Sequence, residues 1–193
     1  MASHPSSAHH FITFITSPYT SKRPQPRCLS VTPSERRKLI ARYTRGPALL
    51  ERALKKVPPS ARQWRPGKGK WSAHEIVCHC ADSEANAAIR LRFVLGGKNP
   101  TLAAYDQDQW AKEFRYHSLP PAKAFEVVKA VRAFTTELIR RLPSASWKKA
   151  GTHSESGRYS AETWLGIYAE HLEKHSRQIL RNVKAWKAKA KAR

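Results

Sequence analysis

The chain has 193 residues, with 36 Lys and Arg against 14 Asp and Glu, a formal net charge of +22, and 40% apolar residues that include six Trp, six Tyr and six Phe. That length fits one domain with tails or two very small domains, and the apolar share excludes a wholly disordered chain. The apolar runs are too short for a membrane-spanning helix, and three cysteines (Cys28, Cys78, Cys80) cannot make an even disulfide framework, so the expected setting is a reducing one, the cytoplasm.

Residues 1–30 carry nine Ser or Thr, no acid and little periodicity, and read as a disordered basic extension. Phe11-Ile12-Thr13-Phe14-Ile15 is too short for a secretory core. The acid-free composition resembles a transit peptide, but a flexible tail or an upstream start codon is the preferred reading. Thr32-Pro33-Ser34-Glu35 then opens a first helix, with Pro early and a carboxylate in its first turn. Leu39, Tyr43, Leu49, Leu50, Ala53, Leu54 and Val57 follow at helical spacing, and Pro58-Pro59 stops it.

Ser72-Ala73-His74-Glu75 is a capping box, and the second helix runs from it to Leu95 before Gly96-Gly97. Residues 96–119 form a long connection with a short helical turn around 105–111. A third helix spans Pro121 to Leu142, with Ala124, Val127, Val128, Val131, Phe134, Leu138 and Leu142 inward. Residues 144–159 read as a polar loop. Ser160 caps a fourth helix carrying Trp164, Ile167, Tyr168, His171, Leu172, His175, Ile179, Val183 and Trp186. Four amphipathic helices with almost no strand pattern give an all-α four-helix bundle over residues 31–183, followed by a basic C-terminal tail at 184–193 that continues the last helix.

The charge divides unevenly. Residues 1–30 hold +3 and 181–193 hold +6, both without an acid, while 31–180 hold +13 with every acid in the chain. A basic balance invites nucleic acid, yet no helix-turn-helix, zinc-finger spacing or aromatic-basic signature accompanies it. Binding of that kind is expected to be non-specific at most.

The histidines carry more. His171 and His175 lie four apart on the fourth helix, where side chains are neighbours. His79 borders the inward face of the second helix. Two imidazoles from one helix and one from another give three nitrogens with an open position, the arrangement of catalytic rather than structural zinc. An isolated His-x-x-x-His on a basic helix is more often one buried and one solvated His, so the third ring matters. His74 is expected to point to solvent. His153, in a His-Ser-Glu-Ser-Gly loop, is a candidate substrate contact, against the alternative of a loop His organising a turn. Asp82 is a candidate hydrogen-bond partner to a ligating ring, or a partner for Arg90. Tyr105, Asp106, Asp108 and Trp110 either line the same mouth or form an Asx-rich turn. Glu170 accepts a proton only if it faces inward, which the stripe disfavours. Cys78 and Cys80 face different ways and are not a Cys-x-x-Cys pair, and Lys174 and Arg177 are surface charge.

The run Lys70-Trp71-Ser72-Ala73-His74-Glu75-Ile76-Val77-Cys78-His79-Cys80-Ala81-Asp82-Ser83-Glu84 resembles the start of the second helix in the DinB superfamily, most closely its YfiT-like branch of metal-dependent hydrolases. Asn99-Pro100, residues 105–111, 153–158 and 168–179 also fall in order as that branch has them, so the resemblance covers about residues 33–183. It implies up-down-down-up connectivity, with the long loop between helices 2 and 3 as the crossover. It also implies His79, His171 and His175 as ligands of a divalent metal ion, with zinc, nickel or iron open. Some members carry another His three residues past the last ligand, where this chain has Gln178. The expected function is a metal-dependent hydrolase or thiol S-transferase whose metal activates water or a low-molecular-weight thiol against a small-molecule substrate, and a homodimer is compatible with the family. The alternatives are a non-specific nucleic-acid-binding basic protein and a non-catalytic metal-binding stress domain.

Overall fold

The computed structural model describes residues 31–192, so the expectation of a disordered extension over residues 1–30 lies outside the described residues, as does Arg193. Five helices carry the chain: α1 (Pro33–Leu54), α2 (Ala73–Gly96), the short α3 (Gln107–Glu113), α4 (Pro121–Arg140) and α5 (Ala161–Lys191). Their starts follow from local chemistry. Thr32 and Ser72 each accept the amide three residues on while Glu35 and Glu75 reach back, closing two capping boxes. Ser160 accepts from the Thr163 amide, and the Asp106 carboxylate accepts from Asp108 and Gln109. Asp106 is therefore a helix cap. None of the helices is long and apolar enough to cross a membrane among the described residues.

Cross-helix pairings set the directions. Arg36 meets Glu162 and Gly46 lies against Leu172, so α1 and α5 run the same way. Trp164 Nε1 donates to the Ala87 carbonyl and Asn182 to that of Trp71, so α2 runs against α5. Val128 sits in the core with Leu50 and Ile179, whereas Ile139 sits with Tyr43 and Trp164, so α4 runs with α2. The order is up, down, down, up, with residues 97–120 as the crossover. Gly46 is needed where it stands: a Cβ there would come within 3.0 Å of Leu172 Cδ1 and 3.3 Å of an Arg132 nitrogen.

Two expectations need correction. The chain is not strandless: β1 (Thr101–Leu102), β2 (Ala150–His153) and β3 (Gly157–Ser160) form a small sheet in the order β1-β2-β3, parallel then antiparallel. The expected loop at 144–159 is thus a 3-10 turn (Ser144–Lys148) followed by a hairpin. Strands of two to four residues are too short to display period-2 patterning, and Gly151 and Gly157 give them a loop composition. Gly151 is required by close approach, since a Cβ there would collide with the Pro100 carbonyl. Phe134 and Val127 also point outward, at 71% and 41% exposure, because Arg132, Thr135 and Thr136 take the inward stripe of α4.

Those inward polar residues mark the centre of the bundle. Glu84 on α2 and Arg132 on α4 are 0% and 1% exposed and pair twice at 2.6 Å. The same guanidinium donates to the Tyr43 carbonyl of α1 at 2.8 Å and the Tyr168 carbonyl of α5 at 2.9 Å, and it lies 3.8 Å over the Tyr43 ring. One residue thereby contacts all four long helices. Burial alone would push the Glu84 pKa up, but Arg132 and the His171 hydrogen bond together outweigh it and hold the carboxyl ionised.

Candidate metal centre

His79 lies on the second turn of α2, facing α5. His171 and His175 are one turn apart on α5, so both rings lean toward α2. One ring nitrogen from each of the three lies within 4.8 Å of the other two. The ring centroids of His79 stand 5.5 Å from His171 and 4.8 Å from His175, and those of His171 and His175 are 4.6 Å apart. Among the described residues this is the one cluster of three or more His, Cys, Asp or Glu side chains with metal-holding spacing.

The hydrogen bonds orient the rings. Glu84 Oε1 lies 3.2 Å from His171 Nδ1, and a carboxylate held ionised can only accept, so that nitrogen carries a hydrogen and Nε2 is the atom left to act as a ligand. Gln178 Oε1 plays the same part for His175 Nδ1 at 3.0 Å. His79 Nδ1 is buried with no partner at all. A buried imidazole with an unpartnered nitrogen, clustered with two further rings, fits a cation that accepts electron pairs. Protonation state agrees. Burial, then the neighbouring His175 and His171, lower the His79 pKa to about 2, and burial with His171 lowers that of His175 to about 3. Neutral rings are the form that binds metal.

The surroundings are aromatic and polar. The Trp71 ring lies 4.7 Å from that of His79, and Tyr168 lies 5.6 Å from His171. Ser83 Oγ is 3.4 Å from His171 Nε2. Tyr105 packs on Trp110 at 4.3 Å in the crossover.

Other expected site residues land elsewhere. Asp82 sits on the flank of α2 that faces the crossover and accepts from Tyr116 Oη at 2.6 Å. The carboxylate on the His171 ring is Glu84, not Asp82, because Glu84 is two residues further round the helix toward the bundle axis. Glu84 was detectable as an acid four residues past Cys80, inside an apolar stripe. His74 does not point to solvent. It is 8% exposed, its Nε2 lies 2.7 Å from the Leu119 carbonyl, and its ring meets that of His117. His153 is buried, and its Nδ1 accepts the Glu155 and Ser156 amides, so it does organise its turn. Glu170 pairs with Lys174 and Arg42 at the surface. An apolar cavity of about 270 Å³ bounded by Leu54, Val77 and Phe125 lies on the opposite face of α2 and touches no member of the triad.

Behind the α2 cap, Glu75 is buried, which favours its neutral form. Arg65, the Ser72 amide and hydroxyl, and His117 outweigh that and hold its pKa at about 2, against an ordinary 4.5. The folded carboxylate keeps its charge where the unfolded one is protonated. Its stabilising effect is complete above pH 4.5 and is lost as pH falls from 4.5 toward 2. The Glu75→Gln variant should therefore lose less of its remaining stability between pH 6 and pH 3 than the parent does, as read from urea midpoints.

The DinB superfamily profile matches residues 42–179. A provisionally named metal-dependent hydrolase of Oceanobacillus iheyensis is 32% identical over 111 residues, 58% of this chain and 64% of that protein. The chain therefore spans a little under two thirds of that relative. Another of the same name from Bacillus mycoides is 29% identical over 69% of this chain and 76% of its own. In structure, YfiT from Bacillus subtilis, described provisionally as a metal-dependent hydrolase with an unusual four-helix bundle topology, superposes with a TM-score of 0.77 at 24% identity, over 82% of this chain and 91% of its own. A mycothiol-dependent maleylpyruvate isomerase shares the fold at a TM-score of 0.61 and 12% identity, over 75% of this chain and 60% of its own.

Proposed function

This chain belongs to the DinB superfamily, and from that premise we propose that it is a metal-dependent enzyme in which His79, His171 and His175 hold one divalent ion. The observation that carries the reading is the convergence of three imidazoles, two oriented by Glu84 and Gln178 and the third with a buried, unpartnered nitrogen. Zinc, nickel and iron all suit three imidazoles.

A divalent ion with an open position supplies Lewis acidity toward water, a thiol or a substrate carbonyl. The chain's own side chains do the rest. Glu84 holds the His171 hydrogen at Nδ1 and so fixes the direction of Nε2. Gln178 does the same for His175, in the position where some relatives have a further His. Ser83 Oγ, beside His171 Nε2, is a hydroxyl placed to donate to a ligand in the cleft. Trp71 covers His79 and keeps bulk water from that side.

Hydrolysis and thiol S-transfer both fit this arrangement. The mycothiol dependence of one structural neighbour makes a low-molecular-weight thiol the first co-substrate to test. A cytoplasmic setting suits such a thiol and the two buried free cysteines, Cys78 and Cys80. The test is elemental analysis of the purified chain, expected to show about one divalent ion per chain, followed by a thiol-substrate screen with that metal in place. A metal-free preparation that takes up no zinc, nickel or iron would remove the proposal.

A second reading rests on the exposed Arg181, Lys184, Lys187, Lys189 and Lys191 of α5, which form no ion pair among the described residues. Non-specific nucleic-acid binding through them would weaken steeply with salt. Sequence-selective binding that survives moderate salt would raise it above the enzyme.

A further inference from the structure

Two arginines are buried among the described residues, Arg132 and Arg90. Arg132 has a carboxylate, two carbonyls and an aromatic ring. Arg90 is 9% exposed and has no carboxylate. One terminal nitrogen donates to the Ala103 carbonyl, its guanidinium lies 5.6 Å from the Tyr105 ring centroid, and its Nε is buried without a partner. A guanidinium is always charged and is costly to bury without an anion. Beside it stands His153, whose Nδ1 is occupied as an acceptor by two backbone amides, so the ring hydrogen is on Nε2. That second donor has no side-chain or backbone acceptor among the described residues, and unlike Arg90 Nε it is not sealed from solvent.

The position connects the pair to the proposed metal site. Arg90 is seven residues past Ser83 and eleven past His79, which returns all three to one stripe of α2. The intervening wall is aromatic: Tyr159 stacks on His153 at 5.7 Å, and Tyr168 packs on His171 at 5.6 Å. The Arg90 charge bears on the titration of Tyr105, Tyr159, Tyr168 and His153, all of which lie close to it. A single fork of donors flanked by rings suits one planar carboxylate better than a doubly charged phosphate, for which no second cation is supplied.

We propose that the Arg90 guanidinium and His153 Nε2 form a carboxylate-binding subsite, so that the substrate is a small organic acid with its carboxylate here and its reacting bond toward the three histidines. Seven residues of helix separate Ser83 from Arg90, so the reacting bond lies about 10 Å from the carboxylate. This assigns a substrate class to the enzyme proposed above and rests on that reading for the reacting end alone.

The probes are benzoate and its neutral isostere benzamide, titrated by calorimetry into the full chain and into His171→Ala, which cannot hold a complete metal site. Arg90→Gln should bind benzoate about 10-fold or more weakly, the loss of a charge-assisted hydrogen bond, while benzamide affinity and Tm stay near parental. Arg90→Lys should keep part of the benzoate affinity, and His171→Ala should keep most of it. Benzoate binding that is unchanged in both Arg90 variants overturns the subsite, as does equal loss of benzoate and benzamide with a fallen Tm, which would make Arg90 a clamp on the Ala103 loop. A parent chain that takes up no zinc, nickel or iron and still discriminates benzoate through Arg90 supports the subsite while removing the metal reading.

Discussion

Replacing Arg132 with Met should cost about 3–5 kcal/mol of unfolding free energy, the range for a buried ion pair that loses one partner. Glu84 would then be a fully buried carboxylate with His171 as its remaining partner, and the carbonyls of Tyr43 and Tyr168 would lose their donor. The check is urea denaturation in the presence of a chelator, so that metal linkage does not mask the change. Arg132→Met combined with Glu84→Leu should recover much of the loss, because a buried pair replaced on both sides by apolar groups is close to neutral. A single variant that loses less than about 1 kcal/mol would show that the pair does not hold the four helices together. The double variant has a second use. It restores packing but frees the His171 ring, so it should be stable and yet weaker for metal than the parent.

Metal loss should follow from each of His79→Ala, His171→Ala and His175→Ala, with no ion retained through gel filtration. Two remaining imidazoles cannot hold what three hold, and the cleft offers no nearby carboxylate to replace the third, since Glu84 is tied to Arg132 and Asp82 to Tyr116. Gln178→Ala keeps all three ligands and releases only the His175 ring, for which about a 10- to 100-fold weaker affinity is expected. Added metal should raise the parent's Tm by mass action and leave the three alanine variants where they are. Stoichiometric metal retained in His171→Ala would remove His171 from the set of ligands. Because Gln178→Ala alters no ligand, a change there isolates ring orientation from coordination itself.

Much of this protein is local and therefore legible along the chain. Ser72 and Glu75 announce the start of α2 because a capping box needs only four consecutive residues. Pro58-Pro59, Gly96-Gly97 and Ser160 bound the helices in the same way. The four-residue spacing of His171 and His175 places both rings on one face of α5 whatever else the chain does. The opening charge, in contrast, changes its meaning with position: the acid-free run at the end of α5 is solvated surface, while Arg132 and Arg90 are buried, Arg132 paired with Glu84 and Arg90 bonded to the Ala103 carbonyl.

Tertiary structure decided the rest. Nothing in the local sequence brings His79 on α2 against a pair some ninety residues later, chooses Glu84 over Asp82 to orient His171, or turns Phe134 outward so that Arg132 can reach Glu84. Each depends on which face of one helix meets which face of another, and such contacts leave no local periodic signature. The small sheet escaped for the same reason, since its strands owe their existence to pairing between Pro100–Leu102 and Thr152–Ser154 rather than to their own residues. The sequence alone thus determined four helices and three candidate ligands, and the packing of those helices determined that the three imidazoles converge, what orients them, and that a guanidinium without a carboxylate partner stands two turns along α2 from Ser83.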